Sequence, residues 1–193
     1  MQLVLLGAPG SGKGTQGIVL ARHFDVIHVS SGDLLRRHVK AHSDLGRRVS
    51  GFVARGELVP DELVLDIVGD ALIGAVAAGG YVLDGIPRTL SQAKLAFELA
   101  KPVGGVDADA VISLEVPDAV ARTRLALRAA AGRADDANAA VIERRLEQFR
   151  ADTGPLLDYY RERDLLVAID GSMPADAVSA AIFDALDRRG IHG

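Results

Sequence analysis

The chain contains no cysteine, which excludes disulfides and thiolate metal sites outright and leaves secretion without support. It has no excess of positive charge either. Twenty-two lysines and arginines stand against 26 aspartates and glutamates, a formal net charge of −4, so neither nucleic acid nor an anionic membrane is expected as a partner. Any anion binding must come from local clusters of arginine and lysine. Long hydrophobic runs are also missing. Residues 1–6 are apolar but soon meet glycines and carry no basic leader, so neither a signal peptide nor a membrane span is expected, and the expected location is the cytoplasm. The five histidines (His23, His28, His38, His42 and His192) show no metal-ligand spacing and are assigned no chemistry. What remains is an ordinary globular balance over 193 residues, enough for one compact domain with small inserted flaps.

Short apolar runs at 3–6, 26–29, 81–83, 110–114 and 165–169 alternate with helical patterns. That alternation predicts an α/β fold with five parallel strands flanked by helices. Runs that are apolar throughout, rather than alternating, predict strands buried on both faces. Between Val29 and Tyr81 lie about fifty residues, more than one crossover helix needs. Residues 37–55 are basic and poor in large apolar side chains, and two more helical turns are expected from Pro60, so the stretch reads as an inserted helical flap. Residues 129–138 are small, polar and glycine-containing and read as a short mobile loop, although the alanines could instead extend a helix.

Gly7-Ala8-Pro9-Gly10-Ser11-Gly12-Lys13 follows the first strand and precedes a helical pattern. In that setting glycines let backbone N–H groups converge on phosphate oxygens, and the helix N-terminus adds partial positive charge. Lys13 supplies a point charge for the β- and γ-phosphates. The usual loop of this kind places Ser or Thr directly after the lysine; here Gly14 stands there and Thr15 follows.

Gly12-Lys13-Gly14-Thr15-Gln16 resembles the nucleoside monophosphate kinase family, and the motifs that follow resemble its short-lid adenylate kinase form. The resemblance implies a phosphate-loop α/β domain spanning 1–193, with a nucleotide-binding flap at 30–59 and a short lid at 129–140. It implies Mg-ATP as donor, AMP as acceptor and ADP as product, with Mg²⁺ held through water by Asp84 and more weakly by Asp33. With no cysteine in the lid, no zinc is expected there. A monomer is expected.

On the donor side the resemblance implies contacts from Gly10, Ser11, Gly12, Lys13, Gly14 and Thr15. Arg124 would lie over the base, Arg128 on the phosphates, and backbone at Gly171 and Met173 would meet the base edge. Arg124 and Arg128 are four apart and share one helix face; by themselves they also fit a solvated basic face. On the acceptor side Ser31 would touch the base and Arg36 the phosphate, while Glu57, Leu58 and Val59 would lend backbone groups. Ser30-Ser31-Gly32-Asp33 is equally a good helix start. Asp84-Gly85-Ile86-Pro87-Arg88 ends the third strand, where ligands bind in open α/β sheets. There Gly85, Ile86 and Pro87 would border the acceptor and Arg88 would clamp phosphate. Gln92 would pair with a purine edge, since an amide offers a donor beside an acceptor. Arg133 and a second lid arginine would reach the transferring group. Counting back from Pro155 selects Arg145, counting forward from Asp136 selects Arg144, and Leu146 favours Arg145.

Relatives acting on UMP or CMP tend to carry Ala and Asn where this chain has Ser31 and Gln92, so AMP is favoured, with UMP/CMP kinase and a non-catalytic nucleotide-binding module as alternatives. The AMP phosphate is largely dianionic at neutral pH, so no general base is needed. The reaction needs alignment and charge neutralisation from Lys13, Arg88, Arg133 and Arg145, and closure of flap and lid to exclude water.

Overall fold

The computed structural model describes residues 1–100, 108–133, 136 and 138–193; of the expected lid, Ala134, Asp135 and Ala137 lie outside the described residues. In chain order the elements are β1 (Gln2–Gly7), α1 (Lys13–His23), β2 (Ile27–Ser30), α2 (Ser31–Lys40), α3 (Asp44–Arg55) and α4 (Asp61–Ala77). They continue with β3 (Tyr81–Asp84), α5 (Leu90–Ala100), β4 (Ala110–Glu115), α6 (Asp118–Ala130), α7 (Ala139–Arg161), β5 (Leu166–Asp170) and α8 (Ala175–Asp187).

Successive side chains of a strand face opposite ways, and β1 is apolar on both faces. Leu3 and Leu5 enter one buried cluster with Val82, Ile112 and Leu114, closed by Leu20 of α1 and Ile182 and Leu186 of α8. Val4 and Leu6 enter another with Leu83 and Val111, closed by α2, α4 and the end of α7 through Leu35, Val64, Val68 and Leu156. Such strands are stable only inside a sheet covered on both sides, and each leucine so buried contributes about 1.5–3 kcal/mol. The five strands are all parallel, in the order β2-β3-β1-β4-β5. The chain leaves β1 for one edge, returns to pair β3 beside β1, and then crosses to β4 on the other side. The order therefore reverses at β1, and the crevice beyond its carboxyl end is where such sheets bind ligands.

Two helices run further than their sequence pattern suggests. From Pro60 the pattern predicts two turns, yet α4 has 17 residues. Gly69 and Gly74 weaken its intrinsic propensity, but burial of Leu63, Val64, Ile67, Val68 and Ala75 holds it. The alanines after Arg128 extend α6 to Ala130, so the expected loop begins later. α7 continues through Pro155, which removes one backbone donor; Leu156, Tyr159 and Tyr160, buried beyond it, keep the helix on the sheet.

A third small core unites the phosphate loop with the helix pair behind it. Ala8 packs on Ala121 and Leu125 of α6 and on Ile142 and Leu146 of α7. Outside it, Arg122 donates two hydrogen bonds to Glu143, at 2.6 and 2.8 Å, and Arg150 pairs with Asp118. Among the described residues no helix is long and apolar enough to cross a membrane.

Candidate active site

The loop between β1 and α1 is shaped by what lies beneath it. Gly10 has φ +85°, and a Cβ there would come within 2.7 Å of the Ala121 carbonyl oxygen. Only glycine meets both demands at low cost. Gly12, also in the left-handed region, caps α1 without a side chain, leaving the first N–H groups of the helix for a ligand. Lys13 folds back over the loop, its Nζ donating to Gly7 O at 2.7 Å and Ala8 O at 3.1 Å. Burial, partly offset by Asp84 and reinforced by Arg88, Arg145 and Arg128, lowers its ammonium from the usual 10.5 to about 8.

A cavity of about 750 Å³ opens over this loop. Residues 10–15 form its floor, and Asp33, Arg36, Leu58 and the Asp84–Gly85 turn form one wall. Arg88, Arg128, Arg133 and Arg145 reach in from above, and Arg124, Gly171 and Met173 close the far end. Seven cationic side chains line it against three carboxylates (Asp33, Asp84 and Asp152), although the chain as a whole is net negative. The positive charge that composition denied to the surface is concentrated here, where low-dielectric walls focus it on an anion.

Each cation is held by something specific. Arg36 pairs with Asp33 one helical turn away. Burial works to raise the Asp33 carboxyl, but the hydrogen bond and charge of Arg36, with help from Arg133 and His28, bring it below its usual value. Arg88 donates from Nε to Gly85 O at 2.7 Å; burial, then the nearby Arg145 charge, lowers its pKa. Arg124 is knitted into the far wall by bonds to Gly171 O (2.7 Å), Ser172 O (3.2 Å), Met173 O (3.3 Å) and Ser11 O (3.4 Å). It thereby ties the phosphate loop to the 171–173 turn.

Asp136 gathers three of the arginines. Its side chain is fully buried, with Arg128 at 2.7 Å, Arg145 at 2.8 Å and Arg133 at 3.8 Å. Nothing in the spacing of acidic residues marks it; an aspartate in a loop between arginines was the available signal.

Arg144 and Arg145 part company. Arg145 lines the cavity, whereas Arg144 turns outward to Glu57 Oε1 at 3.3 Å. Glu57 also pairs with Arg55, so its side chain lies outside the cavity.

Four more expected residues stand behind the lining. Ser31 Oγ is buried beneath Gly85, where a Cβ would collide with it, and has no hydrogen-bond partner among the described residues. Ser30 rather than Ser31 caps α2, accepting from Asp33 N–H, so the Ser31 hydroxyl is not consumed by capping. Val59 is in the core and Ile86 packs against it. Gln92 is bonded to Asp61 and Arg88. His28, given no chemistry by its spacing, forms part of the wall, its Nε2 3.9 Å from Asp84 Oδ2.

A profile of the family described as Adenylate kinase matches residues 5–165. The chain belongs to the adenylate kinase family. Among its relatives in that family, proteins named Adenylate kinase 1 from Nostoc sp. and Synechocystis sp. are 43% and 42% identical over 178 and 177 residues. Those alignments cover 92% of this chain and 94% and 92% of the relatives. The adenylate kinase of Nitrobacter winogradskyi is 41% identical over 198 residues, 99% of this chain and 95% of its own. The five parallel strands and the loop at 7–13 are thus the family's fold carried on this sequence.

Proposed function

We propose that the chain transfers the terminal phosphoryl group of Mg-ATP to AMP, reversibly, giving two ADP. The observation that carries this reading is the convergence of seven cationic side chains on one cavity between the phosphate loop and the Asp84–Arg88 turn. Two polyanions facing each other need that charge, and a hydrolase would not need a second cationic wall.

The donor phosphates lie along 10–15, with Lys13 leaving its carbonyl partners for the β- and γ-oxygens and Arg128 assisting. The base occupies the far end beside Arg124, Gly171 and Met173. The acceptor enters from the other wall, with Arg36 and Arg88 on its phosphate, Leu58 and Gly85 beside the base, and Ser31 and Gln92 at its polar edge. Arg133 and Arg145, steadied by Asp136, meet charge developing on the migrating group. The acceptor oxygen is already anionic at neutral pH, so these side chains align and neutralise rather than move protons.

Asp84 suits a hydrated Mg²⁺. It is a buried carboxylate at a strand end, facing a polar cavity, and among the described residues it accepts no hydrogen bond. Mg²⁺ favours one or two carboxylates reached through retained waters. Asp84, and more weakly Asp33, would hold it so, and the ion would supply charge neutralisation on the triphosphate. Residues 30–59 and 129–140 act as flap and lid that shut water out; the protein works as a cytoplasmic monomer.

The test is phosphoryl transfer from Mg-ATP to AMP, CMP, UMP and GMP in parallel, with Arg88→Ala as control. Preference for AMP, lost in the variant, is expected. Preference for CMP or UMP would overturn the acceptor assignment, and ATP consumption without an acceptor would overturn the kinase reading.

A further inference from the structure

An amide side chain that reads a base can read it two ways. Adenine presents an amino donor at N6 beside an acceptor at N1, whereas 6-oxopurines present an acceptor at O6 beside a donor at N1. A glutamine amide pairs with the first using Nε2–H to N1 and Oε1 from N6–H. Turned by 180°, it pairs with the second. A freely turning glutamine therefore selects poorly between them, and selection requires that something fix the amide.

In this chain the amide is fixed at both ends. Gln92 Nε2 donates to Asp61 Oδ1 at 2.6 Å, and Gln92 Oε1 accepts from the Arg88 backbone N–H at 2.7 Å. A carboxylate can only accept and a peptide N–H can only donate, so these partners allow one orientation. The two bonds use one of two amide hydrogens and one of two oxygen lone pairs, leaving one of each for a ligand. Asp61 comes from the first turn of α4 and Gln92 from the first turn of α5, thirty-one residues apart in sequence. Both are half-buried, which strengthens a charge-assisted bond over its worth in water. Turning the amide over would set its NH₂ against the Arg88 N–H and its oxygen against the Asp61 carboxylate, two repulsive contacts at once.

We propose that Asp61 is a specificity-determining positioning residue, holding the Gln92 amide in the sense that accepts a 6-aminopurine monophosphate and rejects 6-oxopurine monophosphates. This rests on the reading above that Gln92 faces the acceptor base. Asp61 acts through Gln92 and does not itself touch the nucleotide.

The experiment compares the wild-type chain with Asp61→Asn, Asp61→Ser and Gln92→Ala, using AMP, IMP and GMP as acceptors with Mg-ATP, and separates kcat from KM. Asn can donate as well as accept, and Ser is short, so both remove the Asp61 end of the clamp and leave only the Arg88 N–H to hold the amide. Both residues also suit a helix start, so if one variant fails to fold the other still reports. The expected result is an AMP-to-IMP ratio of kcat/KM reduced about tenfold or more in both Asp61 variants. The change should fall on the acceptor KM, with KM for ATP unchanged within about twofold. A uniform loss toward all acceptors with the ratio intact would mark Asp61 as merely structural and overturn the proposal, as would an unchanged ratio at normal activity. If Gln92→Ala also leaves the ratio unchanged, the reading of Gln92 falls, and the proposal with it. A ratio that falls in Gln92→Ala but not in the Asp61 variants overturns the proposal alone.

Discussion

Replacing Asp136 by Asn tests whether one buried carboxylate sets the geometry of the lid arginines. Asn keeps the volume and one acceptor, so no cavity opens, but the charge is lost and an NH₂ donor replaces the second acceptor oxygen. The Asp136 side chain is fully buried, while those of Arg128, Arg133 and Arg145 are 35%, 34% and 22% exposed. Removing one partner of a buried ion pair typically costs about 3–5 kcal/mol. Because these guanidiniums reach water, part of their charge stays solvated and about 2–3 kcal/mol is the better figure. For a chain of this size that corresponds to a fall in Tm of about 4–12 °C. Three guanidiniums left facing one another will also shift, and a misplacement of about 1 Å costs on the order of 10²-fold in rate. Thermal unfolding followed by circular dichroism gives the first number and steady-state phosphoryl transfer the second. A double-mutant cycle with Arg128→Gln should show coupling of about 1–3 kcal/mol. A Tm within about 2 °C of wild type together with kcat within about threefold would refute the reasoning.

The Lys13 ammonium, lowered by burial to about 8 from 10.5, predicts that affinity for a non-hydrolysable Mg-ATP analogue falls as pH rises through about 8. Its folded pKa lies below the unfolded one, so the charge costs stability fully below pH 8, and that cost lifts between 8 and 10.5. Lys13→Met should therefore raise Tm at pH 7 while lowering kcat/KM at least about 10²-fold; a lower Tm would contradict the burial account. Arg145→Ala should lower kcat on the order of 10²-fold, whereas Arg144→Ala, losing an exposed pair with Glu57, should leave Tm within about 2 °C and change kcat by less than about threefold. Steady-state kinetics and melting of the two variants side by side decide this, and the reverse ranking would reassign the second lid arginine.

Much of the fold was legible because its signals are local. A run such as Leu3–Leu6, apolar at every position, has no place on a half-exposed strand, so it had to be central. The loop at 7–13 was legible because glycine spacing and the lysine answer to backbone geometry that no distant residue alters. Element lengths were less legible. α4 outruns its pattern because buried contacts outweigh the weak propensity of Gly69 and Gly74, and α6 runs to Ala130. Asp61 carried no signal of its own and Asp136 only its place between arginines, since a single carboxylate on a helix start or in a loop is ordinary until its partners are known.

The sequence by itself determined the strands, the phosphate loop, the supply of arginines and the family. Tertiary structure alone decided which of those arginines act together. Arg144 and Arg145 are neighbours about 100° apart around one helix; counting along the sequence pointed both ways and only the resemblance at Leu146 favoured Arg145. The rotation of α7 is set by Ile142 and Leu146 packing against Ala8 and Leu125. That packing brings Arg145 to Asp136 and sends Arg144 to Glu57. A helix's facing is settled by where its apolar side chains find a partner surface, and that surface includes Ala8, more than a hundred positions away in the chain.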